Sequence, residues 1–273
     1  MIAVADSFVA HAERYLLANP CCRKHQENIR GRIARFVAWF PGSPKSLAPE
    51  DLNGFLASLE RDGLSAHTIN GYRATIMAVW RFVLGERIRW KIRRVRPPQR
   101  EVKAWSVGQV KQLLSVAVTL RGRLPNGVQR RLFFLTAIHA GFSTGQRYGD
   151  LARLPVAAIR ADRTATFVQS KTGRRVTVRF SEKAVRCIRA HGQATVLPNP
   201  HTQQWFCVSF ADLVERAGIK RGSFRWLRRS AGSYVERATG RGPELLGNTR
   251  AVFEASYQAE SITRKPPPEP PRL

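Results

Sequence analysis

Arginine, lysine and tyrosine are the side chains best able to handle a phosphate without a metal, and this chain holds them in short stretches far apart in sequence. The last third contains Phe224-Arg225-Trp226-Leu227-Arg228-Arg229-Ser230, then Glu244-Leu245-Leu246-Gly247-Asn248, then Phe253-Glu254-Ala255-Ser256-Tyr257. Upstream lie Thr144-Gly145-Gln146-Arg147-Tyr148-Gly149-Asp150-Leu151 and Lys171-Thr172-Gly173. Breaking a phosphodiester in this way needs a nucleophile in line, fixed cations on the non-bridging oxygens, and an acid for the departing oxygen. Arginine suits the second task, because its planar fork grips two oxygens and keeps its proton. Tyrosine suits the first if nearby cations stabilise the phenolate, and a lysine at an exposed turn suits the third.

The charge balance points to a polyanionic partner. There are 46 Lys and Arg against 19 Asp and Glu, a formal charge of +27 over 273 residues. Such an excess otherwise only destabilises the fold by self-repulsion, and nucleic acid is the first candidate. A membrane surface fits poorly, since the basic residues are spread through the chain with no separate amphipathic anchor. No signal-like segment and no run of about 18 apolar residues is found, so a cytoplasmic, nucleoid-associated protein is expected. Cys21, Cys22, Cys187 and Cys207 lack ligand spacing and are expected to be reduced. No glycine-rich phosphate loop, zinc pattern, G-x-S-x-G elbow or carboxylate cluster occurs. No cofactor is therefore expected.

The elements that must position these groups follow from periodicity. From Asp6 to about Gly85 four amphipathic helices are predicted. One carries Ile29, Ile33, Phe36, Val37 and Phe40 on one face, and the next, opened by Pro49, carries Leu52, Phe55, Leu56 and Leu59. The last, capped by Ser65, buries Ile69, Tyr72, Ile76, Val79, Trp80 and Val83. Glu86 to Lys103 holds eight Lys/Arg, two acids and Pro97-Pro98, and is predicted to be a basic linker without an apolar stripe. A second module starts at Ser106, a capping box with Gln109. Arg131 to Ala140 is apolar on nearly every side, which predicts a buried central helix ended by Gly141, with Gly145 turning the chain into a short helix. Thr166–Ser170 and Arg174–Phe180 are predicted to pair as a hairpin with Lys171 at its tip. Trp226 and Leu227 are expected to seat their helix rather than touch a ligand. The proline-rich end after Thr263 is expected to be disordered.

At Arg147, Lys171, Arg228 and Tyr257 the chain resembles the tyrosine site-specific recombinases, the phage-integrase family. Thr144 to Leu151 matches the family's T-G-x-R-x-x-E/D-L stretch, and Lys171-Thr172-Gly173 its hairpin K-T-G. Arg225 to Ser230 aligns with the H-x-L-R-H-T box, Leu246-Gly247-Asn248 with the L-G-H box, and Tyr257 falls nine positions after Asn248. Leu64 to Tyr72 is similar to the last-helix pattern of the family's core-binding domain. The resemblance covers nearly the whole chain. It implies a mainly α protein: a helical core-binding domain (1–86), a linker (87–103), an α-rich catalytic domain with a small antiparallel sheet (104–262), and a tail (263–273).

The resemblance also implies an activity. Tyr257 would attack the scissile phosphate to give a 3′-phosphotyrosyl link, without metal or ATP. Arg147 and Arg228 would clamp the non-bridging oxygens, Lys171 would protonate the leaving 5′ oxygen, and Asp150 would orient Arg147. Arg225 and Asn248 stand where the family has histidines; either can donate to phosphate, but neither titrates near neutral pH as imidazole does. The implied partners are double-stranded DNA and further copies of the chain, four on two paired sites. Backbone contacts are expected from His67, Arg73, Arg94, Arg96, Arg174 and Arg229. The two replaced histidines keep open a catalytically degenerate DNA-binding relative, and the shared arginine, lysine and tyrosine chemistry keeps open a strand-relaxing enzyme of the type IB topoisomerase kind.

Overall fold

A computed structural model of the chain describes residues 7–84, 90–98 and 101–263. Its contacts divide it into two units, Met1–Arg100 and Glu101–Leu273, each with its own apolar core.

The first unit holds α1 (Phe8–Ala18), α2 (Arg23–Trp39), α3 (Pro49–Arg61) and α4 (Ala66–Leu84). Local chemistry sets the helix starts. Ser7 Oγ accepts from Ala10 N at 3.2 Å, Asp51 accepts from Ala48 N at 2.9 Å, and Ser65 Oγ accepts from Thr68 N at 3.2 Å. The apolar faces of all four helices meet around Phe8, Ile33, Phe36, Leu52, Phe55 and Ile76. Trp80 is buried among them, and its indole N–H donates to Pro44 O at 2.8 Å.

Residues 90–98 differ from the expected stripe-free tether. Ile92 is buried, Trp90 packs on Trp80 with ring centroids 3.8 Å apart, and the Asn70 amide donates to Val95 O at 2.7 Å and accepts from Val95 N at 3.2 Å. An extended segment can turn single apolar residues inward between exposed arginines, and here Trp90, Ile92 and Val95 do so against α4.

The second unit runs α5 (Val107–Thr119), α6 (Arg130–Thr144), α7 (Tyr148–Arg153), β1 (Thr164–Val168), β2 (Arg175–Arg179), α8 (Glu182–Ala190), α9 (Gln203–Arg216), α10 (Phe224–Thr239), α11 (Gly242–Leu246), α12 (Arg250–Ser256) and α13 (Glu260–Thr263). The capping box forms: Ser106 Oγ accepts from Gln109 N, and Gln109 Oε1 accepts from Ser106 N at 3.0 Å. α6 is the central helix, packed by α5, α8 and α10. It does not stop at Gly141. It continues to Thr144 and ends at Gly145, whose φ of +64° is the left-handed cap. Gly141 serves packing instead, since a Cβ there would lie 2.7 Å from the Phe224 ring. β1 and β2 pair antiparallel with Ala165 opposite Val178 and Phe167 opposite Val176. Trp226 and Leu227 seat α10 as expected, Leu227 in the core and Trp226 against Trp105. The chain is thus mainly helical with one small antiparallel sheet. Among the described residues no helix is long and apolar enough to cross a membrane. The proline-rich residues 264–273 lie outside the described residues.

Candidate active site

One cavity of about 280 Å³ is lined by Arg147, Lys171, Arg225, Arg228 and Tyr257, together with Gln146 and an apolar wall that includes Phe206, Phe210 and Phe224. The functional side chains arrive on four different elements. Arg147 is the residue before α7, where the left-handed Gly145 turns the chain out of α6. Arg225 and Arg228 sit three apart on α10, on one face of its first turn. Lys171 is exposed in the β1–β2 turn. Tyr257 caps the C-terminus of α12.

The tyrosine is held by α10 in the same chain. Ser233 Oγ donates to Tyr257 O at 3.0 Å and accepts from Ala259 N at 2.9 Å, while Arg229 Nε donates to Ser256 O at 3.2 Å. Its ring packs with Leu246 and Phe253 and faces the guanidinium carbons of Arg228 at 5.0 Å and Arg225 at 5.3 Å. Burial by itself would raise the phenol pKa. The charges of Arg228, Arg225 and Arg147 outweigh that and hold it below the usual tyrosine value.

Arg228 is among the most buried side chains of the unit. It donates to Gly145 O at 2.7 Å and Leu246 O at 2.6 Å, and its Nε is buried without a partner. Burial, with the charge of Arg147 adding to it, brings the guanidinium down to about 10, so it stays a cation at neutral pH. Arg147 donates to Gln169 Oε1 at 3.1 Å and lies 3.6 Å from Asp150 Oδ2. Asp150 is buried, but its hydrogen bonds run to the hairpin: Oδ1 accepts from Ser170 N at 3.0 Å and from Ser170 Oγ at 2.8 Å. It therefore ties the lysine turn to α7 as well as facing Arg147.

Asn248 is not brought into this cavity. Gly247, at φ +62°, reverses the chain so that Asn248 N closes onto Pro243 O at 2.9 Å. Asn248 lines a separate hollow with Arg174, Arg175 and Thr177, and its Nδ2 is buried without a partner. Of the six expected backbone contacts, His67, Arg94, Arg96 and Arg174 are exposed. Arg73 Nε donates to Ile92 O at 3.3 Å, and Arg229 donates from Nε to Ser256 O and from Nη1 to Lys103 O.

Gln146 and Gln169 were given no role from sequence. Both are fully buried beside the arginines, and Gln169 Nε2 donates to Gln146 Oε1 at 2.7 Å. The signal available for Gln169 was strand alternation, which puts it on the inward face with Ala165 and Phe167. Among the described residues no three His, Cys, Asp or Glu side chains gather as a metal site requires.

No protein-family model matches the sequence, and no curated protein sequence is significantly similar to it. Solved structures do match. The chain is similar to lambda integrase (residues 75–356) in a dimer bound to a COC' core site, with a TM-score of 0.72 and 16% identity, covering 90% of this chain and 95% of that one. It is similar to lambda integrase in a tetramer bound to a Holliday junction, with a TM-score of 0.72 and 16% identity over 97% of this chain and 79% of that one. It is also similar to the Tn1549 transposon integrase in complex with transposon right end DNA, with a TM-score of 0.71 and 10% identity over 95% of each chain. The fold is that of these integrase structures.

Proposed function

We propose that this protein is a site-specific DNA recombinase that breaks and rejoins strands through Tyr257. The observation that carries the reading is the convergence of that phenol, three guanidiniums and Lys171 on one cavity. In the first step Tyr257 Oη attacks the scissile phosphorus, the Oη–P bond forms and the P–O5′ bond breaks. The phenol proton leaves to solvent, which the lowered pKa favours. Arg147 and Arg228 neutralise the non-bridging oxygens, Arg225 stabilises the phenolate, and Lys171 gives a proton to the departing O5′. Asp150 holds the hairpin end and faces Arg147. A 5′-hydroxyl from a second duplex then attacks the 3′-phosphotyrosyl link and releases the tyrosine, so the phosphodiester energy is conserved. Double-stranded DNA is the partner, and four copies on paired sites is the assembly this chemistry needs. The core-binding role belongs to residues 1–86 of the first unit, and catalysis to residues 104–262 of the second. The DNA-bound dimer and the Holliday-junction tetramer of lambda integrase support the reading by analogy of fold.

A second reading is a DNA-binding relative that has lost cleavage, favoured by the position of Asn248 outside the cavity. One experiment decides. Wild type and Tyr257→Phe are incubated with nicked duplexes, denatured, and scored for a covalent protein–DNA adduct. An adduct formed by wild type alone is expected, and tight, salt-sensitive binding with no adduct would replace the first reading by the second.

A further inference from the structure

We propose that Gln169, supported by Gln146, is a positioning residue that aims Arg147 at a phosphate while leaving its positive charge undiminished. The inference rests on the reading of the cavity as a phosphate site. Two arginines sharing one small cavity repel each other, so each must be tethered by acceptors. Arg228 has the carbonyls of Gly145 and Leu246. The hydrogen bond that Arg147 makes to a side chain is to Gln169 Oε1, with Asp150 farther off at 3.6 Å.

The Gln169 amide can stand only one way round. Its oxygen accepts from Arg147 and from Thr172 Oγ1 at 2.9 Å, both donors. Its nitrogen donates to Gln146 Oε1 at 2.7 Å and to Leu246 O at 3.1 Å, both acceptors. Gln146 is fixed in turn, because its Nε2 donates to Thr144 O at 3.0 Å and Leu245 O at 2.9 Å. A flip of either amide would set donor against donor. The Leu246 carbonyl also accepts from Arg228, so one short network links the lysine turn, through Thr172, to both arginines. Gly247 makes room for it, since a Cβ there would lie 3.0 Å from Gln169 Oε1.

A neutral amide gives direction without charge. A carboxylate in its place would form a stronger bond to Arg147 but would cancel the charge that the phosphate needs. That contrast sets the test. Gln169→Met keeps the volume and removes every hydrogen bond; Gln169→Glu keeps the acceptor for Arg147, adds the charge and gives up both bonds that the amide nitrogen donates. Affinity for inorganic phosphate, followed by phosphorus NMR, is expected to fall about tenfold in each. Duplex DNA affinity should stay within about twofold, because most backbone contacts lie elsewhere. Adduct formation on nicked duplexes should slow by about 100-fold. Folding is checked by the thermal midpoint, and if Gln169→Met does not fold, Gln169→Glu carries the same test. Phosphate binding unchanged in a folded variant overturns the proposal, as does a wild type that binds no phosphate. A wild type whose phosphate affinity depends on Gln169 but which forms no adduct keeps this inference and removes the strand-cleaving reading.

Discussion

Replacing Arg228 by Met separates what this side chain does for the fold from what it does for a phosphate. In the folded chain burial and the charge of Arg147 lower its guanidinium from the ordinary arginine value to about 10. That corresponds to a cost of about 3 kcal/mol for keeping the cation inside. Hydrogen bonds to Gly145 O and Leu246 O, at 2.7 and 2.6 Å, oppose this cost. Arg228→Met removes the buried charge and most of its desolvation. Leu246 O still receives the Gln169 amide at 3.1 Å, whereas Gly145 O loses its guanidinium donor. An orphaned buried carbonyl costs about 1–3 kcal/mol, similar in size and opposite in sign to the relief. The expected net change in stability is therefore within about 2 kcal/mol, a shift of less than about 8 °C in the thermal midpoint of a unit this size. Adduct formation should fall by about 1,000-fold, because a fixed donor to the developing charge is gone. Urea unfolding gives the first quantity and the nicked-duplex assay the second. A loss above about 5 kcal/mol would make Arg228 a keystone of the fold. Undiminished adduct formation would remove it from the phosphate altogether.

Gly145→Ala should destabilise the second unit by about 2–4 kcal/mol, since it forces φ +64° on a residue whose Cβ would lie 2.6 Å from Leu246 Cδ2. An unchanged urea midpoint would show that the turn before Arg147 relaxes freely. The pH dependence of adduct formation follows from the phenol of Tyr257, held below 10 by Arg228, Arg225 and Arg147 against the opposing effect of burial. The phenolate fraction, and with it the rate, rises with pH, and the rise comes at lower pH than for an ordinary tyrosine. Arg225→Gln removes one of these cations and should move the rise to higher pH; a profile identical to wild type would exclude Arg225 from activating the tyrosine.

The helices of both units were legible because they repeat apolar residues at helical spacing, and the capping box at Ser106 forms as its spacing suggests. Local rules failed where a tertiary contact decides. Gly141 resembles a helix stop, yet it lies inside α6 because the Phe224 ring needs the missing side chain. Trp90, Ile92 and Val95 were hidden among arginines, and only the extended path of residues 90–98 reveals that they face α4. Spacing from Tyr257 aligns Asn248 with a site residue, but spacing carries no direction, and beyond the turn at Gly247 the residue lines another hollow. Gln146 and Gln169 carry no charge, so neither composition nor charge pattern draws attention to them.

In the proposed reaction, Arg225 at the place of a pattern histidine would change the way the phenol proton is removed rather than whether it is. A histidine beside the phenol would accept the proton in the transition state, which requires an imidazole titrating near the working pH. A third guanidinium cannot accept a proton, but it stabilises the phenolate before the reaction begins. Here the ring of Tyr257 lies 5.3 Å from Arg225 and 5.0 Å from Arg228, in a site where burial strengthens each charge. The same burial disfavours the phenolate, and the cations must first overcome it; that they do so is the lowered phenol pKa. In the proposed reaction the lowered phenol pKa eases loss of the proton to water. The cost is carried by Arg228, whose own proton is loosened by the burial and the neighbouring arginine that make the pocket effective.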